Sequence, residues 1–215
     1  MIYVAYISVF LRIVPLVLQI ISFARGGLGS LYFLAFSFFS FGADVIGMCF
    51  TFFNIHSDVV FNIYQIFETI IATCLVIQIG KFKPRIKYIL YSFCVFFVMS
   101  FVLNSVIYNF DFPQDFNWGL SRFYILVITF ISALHYVRKM DSFNSIKAAP
   151  LFGLLGIFIY EALSLIPVLS QKIQIESDNP ARTYVVYFVF IVSGNLIRDA
   201  LISCNAVLNI NKKII

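Results

Sequence analysis

Seven runs of about twenty mostly apolar residues, at 2–23, 30–53, 59–79, 88–108, 118–137, 148–169 and 183–207, alternate with short polar clusters along the chain. Each run has the length that an α-helix needs to cross a hydrocarbon core about 30 Å thick. The clusters carry helix-breaking signals. Arg25-Gly26-Gly27 parts the first run from the second, and Gly80 and Pro84 within GKFKPRIK (80–87) end the third. NFDFPQDFN (109–117), KMDSFNSIK (139–147) and QKIQIESDNPA (171–181) read as the remaining connections. The first run has no basic leader, holds Arg12 in its middle and is followed by no small-residue cleavage pattern, so it reads as a span and not as a signal peptide. The pattern predicts an all-α, polytopic bundle of seven transmembrane helices forming one domain, with no soluble domain.

Composition agrees, with 61% of the 215 residues hydrophobic and 12% charged, against roughly a quarter charged in soluble domains. The net charge of +5 acts on orientation, not on nucleic acid, because the basic residues sit at helix ends. Arg25, Lys81, Lys83, Arg85, Lys87, Arg138, Lys139, Lys147, Lys212 and Lys213 fall on one side of the predicted membrane, against Lys172 and Arg182 on the other. The positive-inside bias places the N-terminus outside and the C-terminus in the cytoplasm, which an odd number of spans requires.

Some polar residues interrupt the apolar runs. Arg12, Asp44, Glu68, Arg122, Glu161, Arg198 and Asp199 are the ionisable ones. Each costs about 2.5–3.5 kcal/mol at a helix centre unless it finds a partner inside the bundle. Depth counting brings Arg12, Asp44, Glu68, Arg122 and Glu161 toward one cluster, with three acids facing two bases. At 3.6 residues per turn, Asn62, Gln65, Glu68, Thr69 and Thr73 form a stripe, with Tyr64 one turn before Glu68. Two readings of the stripe follow: Glu68 and Asp44 pair with Arg12 and Arg122 as packing glue, or Glu68 centres a binding or proton-responsive cavity. Arg198 and Asp199, as sequence neighbours, point about 100° apart. Arg198, counted toward the cytoplasmic end, reads as a headgroup or partner contact, together with Lys81, Lys83, Arg85 and Lys87. Pro15 and Pro167 are candidate kinks.

The chemistry of an enzyme is not announced. The seventh run has no lysine for a retinal linkage, and there is no HExxH, Walker or glycine-rich fingerprint. His56 and His135 have no ligand spacing to a second His or Cys, and Cys49, Cys74, Cys94 and Cys204 lie within the apolar runs as expected buried free thiols. No cofactor or metal is expected.

The motifs FGADVIG (41–47), NIYQIFE (62–68), KFKPRIK (81–87) and PLFGLLGIFIYEA (150–162) give the chain a resemblance to small seven-helix membrane proteins of unknown function, common in Bacteroidetes-type bacteria. It is also similar to the membrane sensor regions of some histidine kinases. The resemblance implies a bacterial inner-membrane protein, and it implies no catalytic residue. Only LNINKKII (208–215) follows the seventh run, so signalling is expected to act through a separate partner protein. The expected function is non-enzymatic sensing or regulation by a polar intramembrane cavity. Small-solute or proton-coupled transport is the alternative, and a structural subunit or defence-type effector the second.

Overall fold

The computed structural model describes residues 7, 9–27, 29–53, 58–108, 115–140, 145–175 and 180–211. The described residues form helices α1 (Ile13–Ala24), α2 (Ser30–Phe52), α3 (Asp58–Gly80), α4 (Pro84–Tyr108), α5 (Asp115–Arg138), α6 (Ser145–Ile175) and α7 (Pro180–Asn211). A further turn carries α1 back through Arg12 to Val9. Six of these helices, α2 to α7, are long and apolar enough to cross a membrane, and α1 is a shorter apolar helix. The helices expected from the apolar runs are therefore present. The start of the first run, residues 1–6, lies outside the described residues, as do His56 and most of the 109–117 connection.

The bundle has the polarity of a protein surrounded by lipid. Large apolar side chains cover its outside, among them Phe10, Phe38, Phe93, Val106, Phe123 and Ile131, while Arg12, Glu68, Arg122, Glu161 and Arg198 are buried within. A soluble protein of this size would reverse that arrangement. The chain is an integral membrane protein of bundled helices.

Six helices close a ring. α1 packs on α2, α2 on α3, α3 on α5, α5 on α6, α6 on α7, and α7 returns to α1. α4 lies outside the ring, seated on α3 and touching α5 only lightly. Its sequence explains the placement, because no charged residue occurs between Lys87 and Asp111 and exposed apolar side chains such as Ile89, Phe93, Phe96 and Leu103 can face lipid. α6 continues through Pro150 and Pro167 to Ile175, so Pro167 does not end it near residue 169.

The half of the ring nearer the Gly80 end of α3 is filled by an apolar plug. Phe33 and Phe36 from α2, Leu75 and Ile79 from α3, Ile125 and Ile128 from α5, Leu154 and Ile157 from α6 and Ile202 from α7 are all buried together there. Phe33 crosses the interior to lie against Gly153, where a Cβ would overlap its ring. Gly153→Ala should therefore overpack the plug and cost about 1–3 kcal/mol, lowering the thermal midpoint in detergent. Gly42→Ala, at a helical position with nothing within 4 Å, should leave the midpoint unchanged or raise it. Equal midpoints for the two variants would show that Phe33 does not seal the interior.

Candidate functional site

Every helix of the ring sends a charged side chain to one layer, and α4 sends none; its Ser100 donates to Asn117 Oδ1 of α5 at 3.1 Å. Measured from the basic end at about 1.5 Å per residue, Arg12, Asp44, Glu68, Arg122, Glu161, Arg198 and Asp199 all lie at a depth of about 16–24 Å. In a hydrocarbon core about 30 Å thick that is the middle of the membrane.

On one side of the layer, Arg12 Nη1 donates to a carboxylate oxygen of Asp44 and to Ser40 Oγ at 3.1 Å. Its Nε lies 3.3 Å from Asp199 Oδ2. Arg198 Nε donates to Asp199 Oδ1 at 3.0 Å, and its Nη2 to Ser40 Oγ at 2.9 Å. Asp199 thus joins the two guanidiniums, and the Ser40 hydroxyl accepts from both. On the other side, Arg122 Nη1 donates to Glu161 Oε2 at 3.3 Å and to the Ser164 hydroxyl. The Tyr160 ring connects the halves, with the Arg198 guanidinium carbon 4.4 Å and that of Arg122 5.3 Å from its centre. Cations over a desolvated aromatic face gain about 2 kcal/mol or more.

Glu68 is held differently. Its Oε1 accepts from Tyr64 Oη at 2.6 Å, one turn earlier on α3. Its Oε2 is buried without a hydrogen-bond partner, and among the described residues it forms no ion pair. The layer holds four carboxyls, Asp44, Glu68, Glu161 and Asp199, against three guanidiniums, Arg12, Arg122 and Arg198. It is electroneutral when one carboxyl carries a proton, and an unbalanced charge at this depth is costly.

The expected cluster of Arg12, Asp44, Glu68, Arg122 and Glu161 does come together, and the Arg12–Asp44 pair is present. Glu68 does not pair with Arg122, because Glu161 on the adjoining helix takes that guanidinium and Tyr64 takes Glu68. The stripe on α3 faces inward throughout, with Asn62, Gln65, Glu68, Thr69 and Thr73 all buried. Asn62 Oδ1 accepts from Trp118 Nε1 at 2.9 Å across to α5. Thr69 and Thr73 return their hydroxyls to the carbonyls of Gln65 and Thr69.

Three expectations are corrected. Arg198 is no headgroup contact: it is 1% exposed and lies twelve residues before Ile210, about 18 Å deep and beyond the reach of snorkelling. Its side chain also folds back onto Asp199, so sequence neighbours do form a pair. Of the four thiols, all free, Cys94 is buried, but Cys49 and Cys204 face outward. Lys81, Lys83 and Arg85 are exposed and Lys87 half-exposed at the basic turn. Lys139 Nζ donates to the Lys81 carbonyl at 3.3 Å, and the buried Phe82 stacks on His135 with ring centres 5.0 Å apart.

A second polar group was not expected. Gln19 Nε2 on α1 donates to the Ile202 carbonyl at 2.9 Å and to Asn205 Oδ1 at 3.2 Å. Asn205 Nδ2 donates to the Ala149 carbonyl at 2.8 Å, and Asn209 Nδ2 reaches Asn205 Oδ1 at 3.5 Å. The signal in the sequence is spacing: 12, 15, 19 and 22 share one face of α1, and 198, 202, 205 and 209 one face of α7.

Comparison of the chain with protein-family models, with curated proteins and with solved structures finds no match. The site is accordingly read from its own geometry.

Removing one partner of the Arg122–Glu161 pair exposes the cost of burial. Glu161→Leu should destabilise the bundle by about 3–5 kcal/mol, whereas Arg122→Met combined with Glu161→Leu should recover most of the loss. Unfolding by SDS titration in mixed micelles measures both. A double variant as unstable as the single one would show that the pair is not the unit of stability.

Proposed function

We propose that the protein is a non-enzymatic sensory or regulatory membrane protein whose mid-membrane layer responds to protonation. One observation carries the reading: Glu68 is buried, accepts a hydrogen bond from Tyr64, keeps one oxygen without a partner and, among the described residues, is the carboxyl of the layer with no ion pair. Intramembrane carboxyls without a counter-ion are sites of proton or ligand response. Adding or removing one proton there changes the net charge of a layer to which six helices contribute. The bundle then has two electrostatic states, and their difference in helix packing is the signal.

The orientation supports the same reading. Arg25 donates to the Ile210 carbonyl at 2.8 Å and Lys139 to that of Lys81, which gathers the basic turns at one end of the bundle. We place that end in the cytoplasm of a bacterial inner membrane, with seven spans and the N-terminus outside, following the positive-inside bias. The exposed Lys81, Lys83 and Arg85 then offer a surface to anionic lipid or to a separate partner protein. The likeness of the span motifs to membrane sensor regions of histidine kinases points the same way. Proton-coupled transport is the second reading, favoured by polar side chains that continue from the layer toward both ends, through Gln65 and Asn62 one way and Gln19 and Asn205 the other.

Infrared difference spectra of the protein in nanodiscs, from about pH 4 to about pH 9, test the proposal. We expect a protonated-carboxyl band that depends on pH and is absent from a folded Glu68→Gln variant. If no such band exists and Glu68→Gln unfolds, Glu68 is a structural partner and the reading fails. Proton and solute flux in proteoliposomes, lost in the folded variant, would select transport over sensing.

A further inference from the structure

Two basic turns meet at one end of the bundle. Residues 81–83 join α3 to α4. Phe82 folds back over Gly80, where a Cβ would stand 2.3 Å from its ring, and stacks on His135 of α5. Lys81 takes a left-handed backbone conformation, with φ 46°, which a lysine keeps only where its surroundings hold it. Its carbonyl accepts from the Nζ of Lys139, just past the end of α5. With Phe82 buried, Lys81 and Lys83 on either side of it are exposed, as are Arg85 on the first turn of α4 and Arg138 and Lys139 opposite. Among the described residues none of these cations forms an ion pair. Neither 80–91 nor 131–140 contains an acid; Asp141 follows, outside the described residues.

An exposed apolar strip leads to these cations between α4 and α5. α4 meets α5 at Tyr124, whose ring centre lies 4.8 Å from that of Phe97 and 6.5 Å from that of Phe93. The Tyr124 hydroxyl donates to the Leu90 carbonyl at 3.0 Å. From Tyr124 toward the basic end, the same face of α5 passes through Ile131 and His135 to Arg138. On α4 the face of Phe97 and Phe93 continues to Ile86. Ile86, Phe93 and Ile131 are 41, 52 and 49% exposed, so the strip is open beyond Tyr124.

The occupant follows from depth and charge. A three-residue turn between two membrane helices holds its basic side chains at headgroup level. Tyr88 and Tyr91, exposed within the first two turns of α4, mark the same level, because amphipathic rings collect at the membrane interface. The anion available there is a lipid phosphate, which Lys and Arg bind by charge-assisted hydrogen bonds.

The geometry points to a binding site for an anionic phospholipid. Its phosphate sits among Lys81, Lys83, Arg85, Arg138 and Lys139, and one acyl chain lies along Ile86, Phe93 and Ile131. A lipid held there fastens α4, the helix outside the ring, to α5. The site names the occupant of the exposed basic surface, so it rests on that part of the proposed function and is independent of Glu68.

Native mass spectrometry of the full chain, titrated in detergent with phosphatidylglycerol or with phosphatidylcholine, tests the site. We expect phosphatidylglycerol to be held at least about ten-fold more tightly. Lys83→Gln combined with Arg85→Gln should weaken it by about ten-fold or more. Lys212→Gln combined with Lys213→Gln, an equal loss of charge elsewhere in the sequence, should not. Equal affinities for the two lipids overturn the site and leave the basic surface to a partner protein. Equal losses in the two double variants overturn it in favour of general attraction between basic residues and anionic lipid. Ile131→Trp, which fills the strip without changing charge, should also weaken phosphatidylglycerol; unchanged affinity overturns the placement of the chain. Glu68→Gln should keep full affinity, so failure of this site and failure of the proton-responsive reading are told apart.

Discussion

Seven ionised or ionisable side chains must be kept from lipid in the middle of this bundle, and the rest of the architecture follows from that constraint. A guanidinium or carboxylate facing hydrocarbon costs several kcal/mol, whereas the same group facing a counter-ion within a protein interior costs much less. The helices that carry such a group form the ring, each turning its charged residue inward. α4 carries none and lies outside. The order of packing around the ring is thus an electrostatic sorting of helices, made possible because the surrounding lipid offers no hydrophobic preference between one apolar face and another.

The layer also divides the interior. On its basic side the centre of the ring is apolar and closely packed, with Phe33, Phe36, Leu75 and Leu154 fully buried. On its other side the interior remains polar, through Gln65, Asn62, Ser121 and the Trp118–Asn62 bond. A bundle built this way has its ionisable groups between a polar interior and an apolar plug, with the Gln19, Asn205 and Asn209 amides of α1 and α7 beside the plug. Close packing on one side and hydrogen-bonded groups on the other is what the proposed response to charge would need in order to proceed without unfolding.

Much of this is legible without coordinates. The inward stripe of α3 follows from helical periodicity, and the convergence of Arg12, Asp44, Glu68, Arg122 and Glu161 from counting residues into each span. Arg198 is misplaced by the same counting for a traceable reason. Measured from a span ending at residue 207 it falls in the inner half, but α7 runs to Asn211, and one further turn moves it to the middle. The amide group of α1 and α7 escapes notice because neutral amides carry no charge to flag them, although Gln19, Asn205 and Asn209 repeat at helical spacing. The peripheral position of α4 has a signal in the uninterrupted absence of charge after Lys87.

By itself the sequence determined that this is a membrane bundle, where most of its described helices begin and end to within about four residues, though α6 runs on to Ile175, and which side chains must be hidden from lipid. Those are consequences of hydropathy and helical period, and both are local. Which acid meets which base was decided only by tertiary structure. Arg122 could satisfy Glu68 or Glu161, and Asp199 could face Arg12, Arg198 or both; the choice depends on which helices are neighbours around the ring and how far each is shifted along its axis. Pairing energies fall off over a few ångströms, a distance that periodicity along one chain does not encode.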